Sequence, residues 1–407
     1  MKYGIFLGRG VEGCGNTKYA IELQNGIKET DECITIAARD KKWGRSKAHN
    51  HNIIQYHLYN DKERIISTFK QCDTIIILSV PSINAEFETT ESFMEILERL
   101  QDKHVVYINV DHRAPSIKRN FYYDIMYNDF FKLCNRVITH NKGNDLHVVA
   151  LEMGLDPSTI ITPEFPTLNL LDFADGEKYI RPYDDKEPKS IHFLGRRADW
   201  KGIYEVKRLQ YEYLGKHGFT TVMEGIERDI GSLKFLYKEV KPEKVAHDDV
   251  IICNEGNKSK LYFEGKLPIV PGNPAYIIGP YNHDEAMERL GASMFGIELL
   301  MLPDKYLPHN MEYAMSEYVI TGTVPIYRKR WGELFCVNNK PVISQDCGAI
   351  FVDENDMAAS IDEILEVACN KELYMQRQNR VYDFFRSICD KKVILPQVLE
   401  LINGNNN

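Results

Sequence analysis

No stretch of this chain strings together the ~20 apolar residues that a membrane-spanning helix requires, so no membrane contact is expected. Its nine cysteines include no CxxC pair and no Cys/His set at zinc spacing. That argues against a structural metal and for reduced thiols inside a cell. Positive charge is short as well: 50 Lys and Arg face 59 Asp and Glu, a formal net charge of −9. Nucleic-acid binding usually shows as a basic balance, so the overall charge weighs against such a partner unless the basic footprint is local. A P-loop is excluded, because Gly10 to Gly15 has the spacing but Asn16-Thr17 stands where Lys-Ser/Thr is required. A leader is not expected either. Met1–Leu7 carries one charge and a short apolar run ending in glycines, which reads as a first strand.

What is present is a globular composition, 43% apolar and 27% charged over 407 residues, enough for two domains with a core each. Short apolar runs at Tyr3–Leu7, Cys33–Ala38, Thr74–Val80, Val105–Val110 and Arg136–Thr139 predict strands. Amphipathic stretches such as Glu91–Leu100 alternate with them, which predicts a parallel sheet covered on both faces. Such a sheet binds ligands beyond the C-terminal ends of its strands. The polar segment Asp172–Lys189, with Pro182 and Pro188, reads as a crossing between domains. A second strand–glycine start follows at Ser190–Leu194 and Gly195, with further strands predicted at Thr220–Met223, Tyr276–Gly279 and Val324–Tyr327. The order of elements between about 241 and 280 is not legible. The expectation is an α/β protein with two Rossmann-like domains, 1–180 and 190–380, facing each other across a cleft. The last helical stretch, about 381–407, could pack back on the first domain.

Gly8-Arg9-Gly10-Val11-Glu12-Gly13 matches G-x-G-x-x-G, with Asp40 after the second strand as a ribose acid. A lone match is weak, and a tight strand–helix turn relieved by glycines is the better reading. More distinctive text is FLGRGVEGCGNTKYAIE (Phe6–Glu22), IIILSVP (Ile75–Pro81), VDH then SIKRN (Val110–Asn120) and THN (Thr139–Asn141). The second half adds GRRADWKG (Gly195–Gly202), TVMEGIER (Thr221–Arg228), MEYAMSEYVITGTVPIY (Met311–Tyr327) and GAIFVDENDM (Gly348–Met357). In this order these segments resemble the DNA α-glucosyltransferases of T-even bacteriophages. The likeness runs along nearly the whole chain and is weakest around 45–70 and 240–290.

The resemblance implies a GT-B glycosyltransferase, a phage enzyme of the infected host cell's cytoplasm, acting as a monomer on double-stranded DNA. It implies transfer of a sugar, glucose first among candidates, from a UDP-sugar to the hydroxymethyl group of 5-hydroxymethylcytosine, with the anomeric configuration retained. Alternatives are another donor such as UDP-arabinose, or an acceptor other than DNA. A departing diphosphate gains negative charge, so fixed cations and backbone N–H groups must face it. The resemblance assigns that work to Arg196, Arg197 and Lys201, which otherwise read as a solvated basic turn, and to backbone approach at Gly13 and Gly15. It places Glu317 on the ribose hydroxyls and Glu224 and Arg228 in the donor loop. Asp111, His112 and Glu22 become candidate catalytic groups, to polarise the attacking hydroxyl or stabilise an oxocarbenium-like centre. Outside the family context they are ordinary surface residues. Val110 departs from the family pattern, which has a histidine there, and this opens the question of the donor sugar. With no Asp-x-Asp pair in the chain, no metal cofactor is indicated.

The basic footprint is local. Arg39–Lys47 holds five basic residues and one acid. Lys41, Lys42, Arg45 and Lys47 would meet phosphates, and Trp43 would stack or wedge at an unstacked base. Lys118 and Arg119 extend the surface. A solvated charged loop is the other reading of this run. An acceptor hidden in a duplex implies extrusion of the base, at a few kcal/mol.

Overall fold

The computed structural model describes residues 1–8, 15–38, 52–79, 87–109, 129–139, 156–161, 163, 169–195, 199–225, 250–253, 276–278, 283–302, 304 and 311–404. The chain forms two compact units, Met1–Leu170 with Lys391–Asn407, and Leu171–Asp390.

The first unit holds β1 (Lys2–Leu7), β2 (Glu32–Ala38), β3 (Ile53–Tyr56), β4 (Thr74–Ser79), β5 (His104–Ile108), β6 (Arg136–Ile138) and β7 (Ile160–Ile161). They lie in the order β3-β2-β1-β4-β5-β6-β7, every pair parallel. Helices α1 (Gly15–Lys28), α2 (Lys62–Phe69) and α3 (Phe87–Glu98) connect the strands. Ile75, Ile76 and Ile77 are consecutive and all fully buried, as expected where both faces of a parallel sheet are covered. On one face Phe6 stacks on Phe93 at 5.2 Å, and Tyr107 meets Phe130 edge-on at 5.1 Å.

The chain returns to this unit in its C-terminal helix, Lys391–Asn403. Ile394, Val398 and Ile402 recur at helical spacing and are fully buried. The end of the helix is tied down by three donors from the sheet. His104 Nε2 donates to the Ile402 carbonyl at 2.9 Å, Arg136 to that of Leu401 at 3.0 Å, and the Tyr3 hydroxyl to Asn403 Oδ1 at 2.9 Å. Two of these satisfy carbonyls that a helix end leaves without intrahelical partners.

The second unit repeats the plan. Its strands are β8 (Glu187–Leu194), β9 (Thr220–Glu224), β10 (Val250–Cys253), β11 (Tyr276–Ile278), β12 (Ser293–Glu298), β13 (Val324–Arg328) and, past a small hairpin of β14 (Cys336–Val337) and β15 (Lys340–Pro341), β16 (Ile350–Val352). The parallel order is β10-β11-β9-β8-β12-β13-β16. Helices are α4 (Ile203–Arg208), α5 (His283–Ala292), α6 (Tyr313–Ile320), α7 (Lys329–Leu334), α8 (Met357–Cys369) and α9 (Lys371–Cys389). Capping fixes where the last two begin: Asp356 accepts from the Ala359 N–H at 3.3 Å, and Asn370 from that of Leu373 at 3.1 Å.

Both sheets reverse their winding at one strand pair, β1/β4 in the first and β8/β12 in the second. In an open parallel sheet the ligand crevice opens there, beyond the strands' C-terminal ends. In the second unit that point is marked by Leu194 and Glu298. None of the described helices is long and apolar enough to cross a membrane.

Candidate functional site

At the end of β8 the chain turns on Gly195, whose φ of +124° is one that side-chain-bearing residues rarely adopt. Its N–H donates to the Glu224 carbonyl at the end of β9, at 2.9 Å. A turn of 3₁₀ helix at Asp199–Lys201 then brings a lysine back beneath the strand ends. Lys201 is buried, and its ammonium is shared by two carboxylates, Glu298 at the tip of β12 and Glu312 just before α6, the latter at 2.6 Å. The ammonium also sits 5.0 Å from the centre of the Trp200 ring. Burial pulls the lysine's pKa down, but the two carboxylates outweigh it and hold it above its usual value. Burial pushes the Glu298 carboxyl up to about 8, and the nearby Glu312 adds to the rise against the pull of Lys201. Glu298 Oε2 is buried with no donor among the described residues. A proton on this carboxyl fits the geometry, since its O–H can donate to Glu312 and one ionised acid is left for one ammonium.

Helix α6 is fixed to the two strands at the switch point. The Tyr318 hydroxyl donates to the Ile297 carbonyl at 3.0 Å and accepts from the Leu194 N–H at 3.1 Å. This holds Glu312 and Glu317 beside the strand ends. Glu317 is 6% exposed, and His283, the first residue of α5, approaches it at 3.8 Å. The same helix reaches Glu224 through Arg289. Glu224 is fully buried: Arg289 Nε donates to its Oε2 at 3.0 Å, Arg289 Nη2 to its Oε1, and His192 Nε2 to Oε2 at 3.0 Å. Burial opposes its charge, yet these donors keep the carboxyl below its ordinary range.

The structure thus brings Lys201, Glu224 and Glu317 to one end of the second sheet. In the first unit, Gly15 opens α1, and Glu22 lies about two turns further along the same helix, with its Oε2 2.9 Å from Lys391 Nζ. Gly13, Asp111, His112, Arg196, Arg197, Arg228, Lys41, Lys42, Trp43, Arg45, Lys47, Lys118 and Arg119 lie outside the described residues. Sequence reasoning passed over Glu298, Glu312, His192, His283 and Arg289. Glu312 had a legible signal, an acid five residues before Glu317 in the same matching segment. The others did not, because each gains its meaning from a partner far along the chain.

Cations and backbone N–H groups beyond the ends of parallel strands make a cradle for an anionic group. Two such sheets in series, each with its own crevice, are the GT-B architecture of glycosyltransferases.

The family model for DNA alpha-glucosyltransferase matches residues 14–372, and the chain belongs to that family. It is 28% identical, over 99% of its length and 100% of the relative's, to the DNA alpha-glucosyltransferase of Enterobacteria phage T4. Among solved structures it is similar to an alpha-glucosyltransferase in complex with UDP and a 13-mer DNA containing an HMU base. That match has a TM-score of 0.83 and 27% identity, and covers 99% of each chain. A complex of alpha-glucosyltransferase with UDP-glucose and DNA containing an abasic site matches at TM-score 0.83 and 26% identity, again over 99% of each chain. The Anabaena Alr3699/HepE structure with UDP and glucose matches at TM-score 0.63 and 11% identity, over 99% of this chain and 100% of that one, a likeness of fold alone. Among the described residues no group of three or more His, Cys, Asp or Glu side chains is placed to hold a metal ion.

Proposed function

We propose that this enzyme moves glucose from UDP-glucose to the hydroxymethyl group of 5-hydroxymethylcytosine in duplex DNA, with retention, in the cytoplasm of a phage-infected host. The observation that carries the reading is family membership along the chain, with related structures holding UDP, UDP-glucose and DNA. The donor sits at the β8/β12 switch point of the second unit, with Arg196 and Arg197 on the diphosphate and Glu317 on the ribose hydroxyls. Lys201 offers at most one remaining N–H, because two are committed to Glu298 and Glu312. One ionised acid balances its ammonium, so Lys201 contributes that N–H as a donor, and the charge of the leaving group falls to Arg196 and Arg197. Gly13, Gly15 and Arg228 complete the approach to the sugar and phosphates.

The acceptor belongs to the first unit. Lys41, Lys42, Arg45, Lys47, Lys118 and Arg119 hold phosphates, and Trp43 takes the place of a flipped base. Asp111 activates the hydroxymethyl oxygen, with His112 and Glu22 in support. Incubating the enzyme with a panel of UDP-sugars and duplex DNA, with and without 5-hydroxymethylcytosine, tests this by nucleoside mass spectrometry. A hexose added only to modified DNA is the expected result. A pentose would assign Val110 to an altered sugar pocket, and hydrolysis of donor with no transfer to any DNA would refute the DNA acceptor.

A further inference from the structure

The turn after β8 is made by two backbones in contact. Gly225 has φ +146°, and a Cβ placed on it would fall 1.7 Å from the Gly195 carbonyl oxygen. On the other side of this contact the Gly195 N–H bonds the Glu224 carbonyl at 2.9 Å. Gly195 is therefore seated by residue 224 through a hydrogen bond and by residue 225 through close packing. Arg196 is the next residue in the sequence, and the backbone of Glu224–Gly225 fixes the Gly195 from which it continues. The Glu224 side chain in turn fixes that backbone. Its two oxygens tie the end of β9 to His192 on β8 and to Arg289 on α5. With no exposed surface, this carboxylate cannot itself touch a ligand.

We propose that Glu224, Gly225 and Arg289 are positioning residues of the donor site, which seat the Gly195 turn and so aim the arginines that grip the diphosphate. The inference rests on the reading that Arg196 holds the donor. It requires that no side chain be tolerated at 225, because a Cβ there displaces the Gly195 carbonyl, and that the two-pronged grip of Arg289 matter beyond its charge.

Four proteins test it: wild type, Arg196→Ala, Gly225→Ala and Arg289→Lys. Each is measured for UDP affinity by calorimetry, for DNA affinity, and for KM and kcat with respect to donor and DNA. Gly225→Ala is expected to weaken UDP binding and raise the donor KM on the order of tenfold to a hundredfold, the usual cost of a misplaced binding group. DNA affinity and the KM for DNA should stay at the wild-type level, a split that general loss of structure would not give. Arg289→Lys should show a smaller loss of the same kind. If Gly225→Ala does not fold, Arg289→Lys carries the test with the same two outcomes. Wild-type UDP affinity in these folded variants, alongside its loss in Arg196→Ala, overturns the positioning role and leaves the donor reading standing. Wild-type UDP affinity in Arg196→Ala overturns both.

Discussion

Replacing Glu298 with glutamine should stabilise the second unit at high pH, although it removes a carboxylate from a buried ion pair. Glu298 titrates at about 8, against 4.5 for an ordinary glutamate, mainly because it is buried. The sign follows from linkage. A folded state that holds its proton more tightly than the unfolded chain is favoured at low pH. That advantage is complete below about 4.5 and is lost as pH rises through about 8. Converted at 1.36 kcal/mol per pH unit, the difference sets a ceiling of about 4–5 kcal/mol. Relaxation of the surroundings and the shared charge of Lys201 and Glu312 reduce this, and about 2 kcal/mol is a realistic size. The amide of Glu298→Gln can still accept from Lys201 and donate to Glu312, as the protonated acid does.

The variant should therefore match wild type within about 1 kcal/mol at pH 4.5, where both carry the same hydrogen bonds and wild type still holds its protonation advantage. At pH 9 it should exceed wild type by about 2 kcal/mol, the protonation advantage that wild type has lost by then. Urea unfolding followed by tryptophan fluorescence measures this in the right unit, since Trp200 and Trp331 are both buried in it. Parallel curves for the two proteins from pH 4.5 to 9, or a variant several kcal/mol weaker at pH 4.5, would mean that Glu298 is ionised in the native state. Either result refutes the reasoning.

Other consequences are more direct. Lys186 is buried with no carboxylate partner among the described residues, bonded to the Gly291 and Ser293 carbonyls at 2.7 and 3.0 Å, and burial together with Arg181 brings its pKa down to about 7. Here the unfolded chain binds the proton more tightly, so stability should rise as pH goes from about 7 toward 10.5, and Lys186→Met should flatten that rise in the same urea series. Lys391→Met removes the partner of Glu22. The pair is partly exposed, so stability should change by less than about 1 kcal/mol, while kcat falls and UDP and DNA affinities hold, as steady-state and binding assays would read. Trp43→Ala should lower turnover on fully paired DNA more than on DNA with the target base mismatched, because extrusion is easier there.

The parts of the fold that could be read from the sequence are those where one strand's own residues decide the matter. Thr74–Leu78 and Ser190–Leu194 are mostly apolar, bounded by polar or glycine residues and buried on both faces, so composition alone marks them. β12 escaped notice because α5 ends at Ala292 and the strand starts at Ser293 with no breaker between them. Asp172–Lys189, polar enough to read as a crossing, carries a short helix at Phe173–Gly176, a buried Tyr179 and the first residues of β8. The site follows the same logic. Lys201 and Glu317 stand out in sequence because the matching segments contain them, but the state of Lys201 depends on Glu298 and Glu312, 97 and 111 residues away. Charge balance in a buried site is a property of the assembled strand ends. No local stretch of sequence holds it, and that is why a lysine that reads as a free phosphate ligand proves to be already committed to two acids.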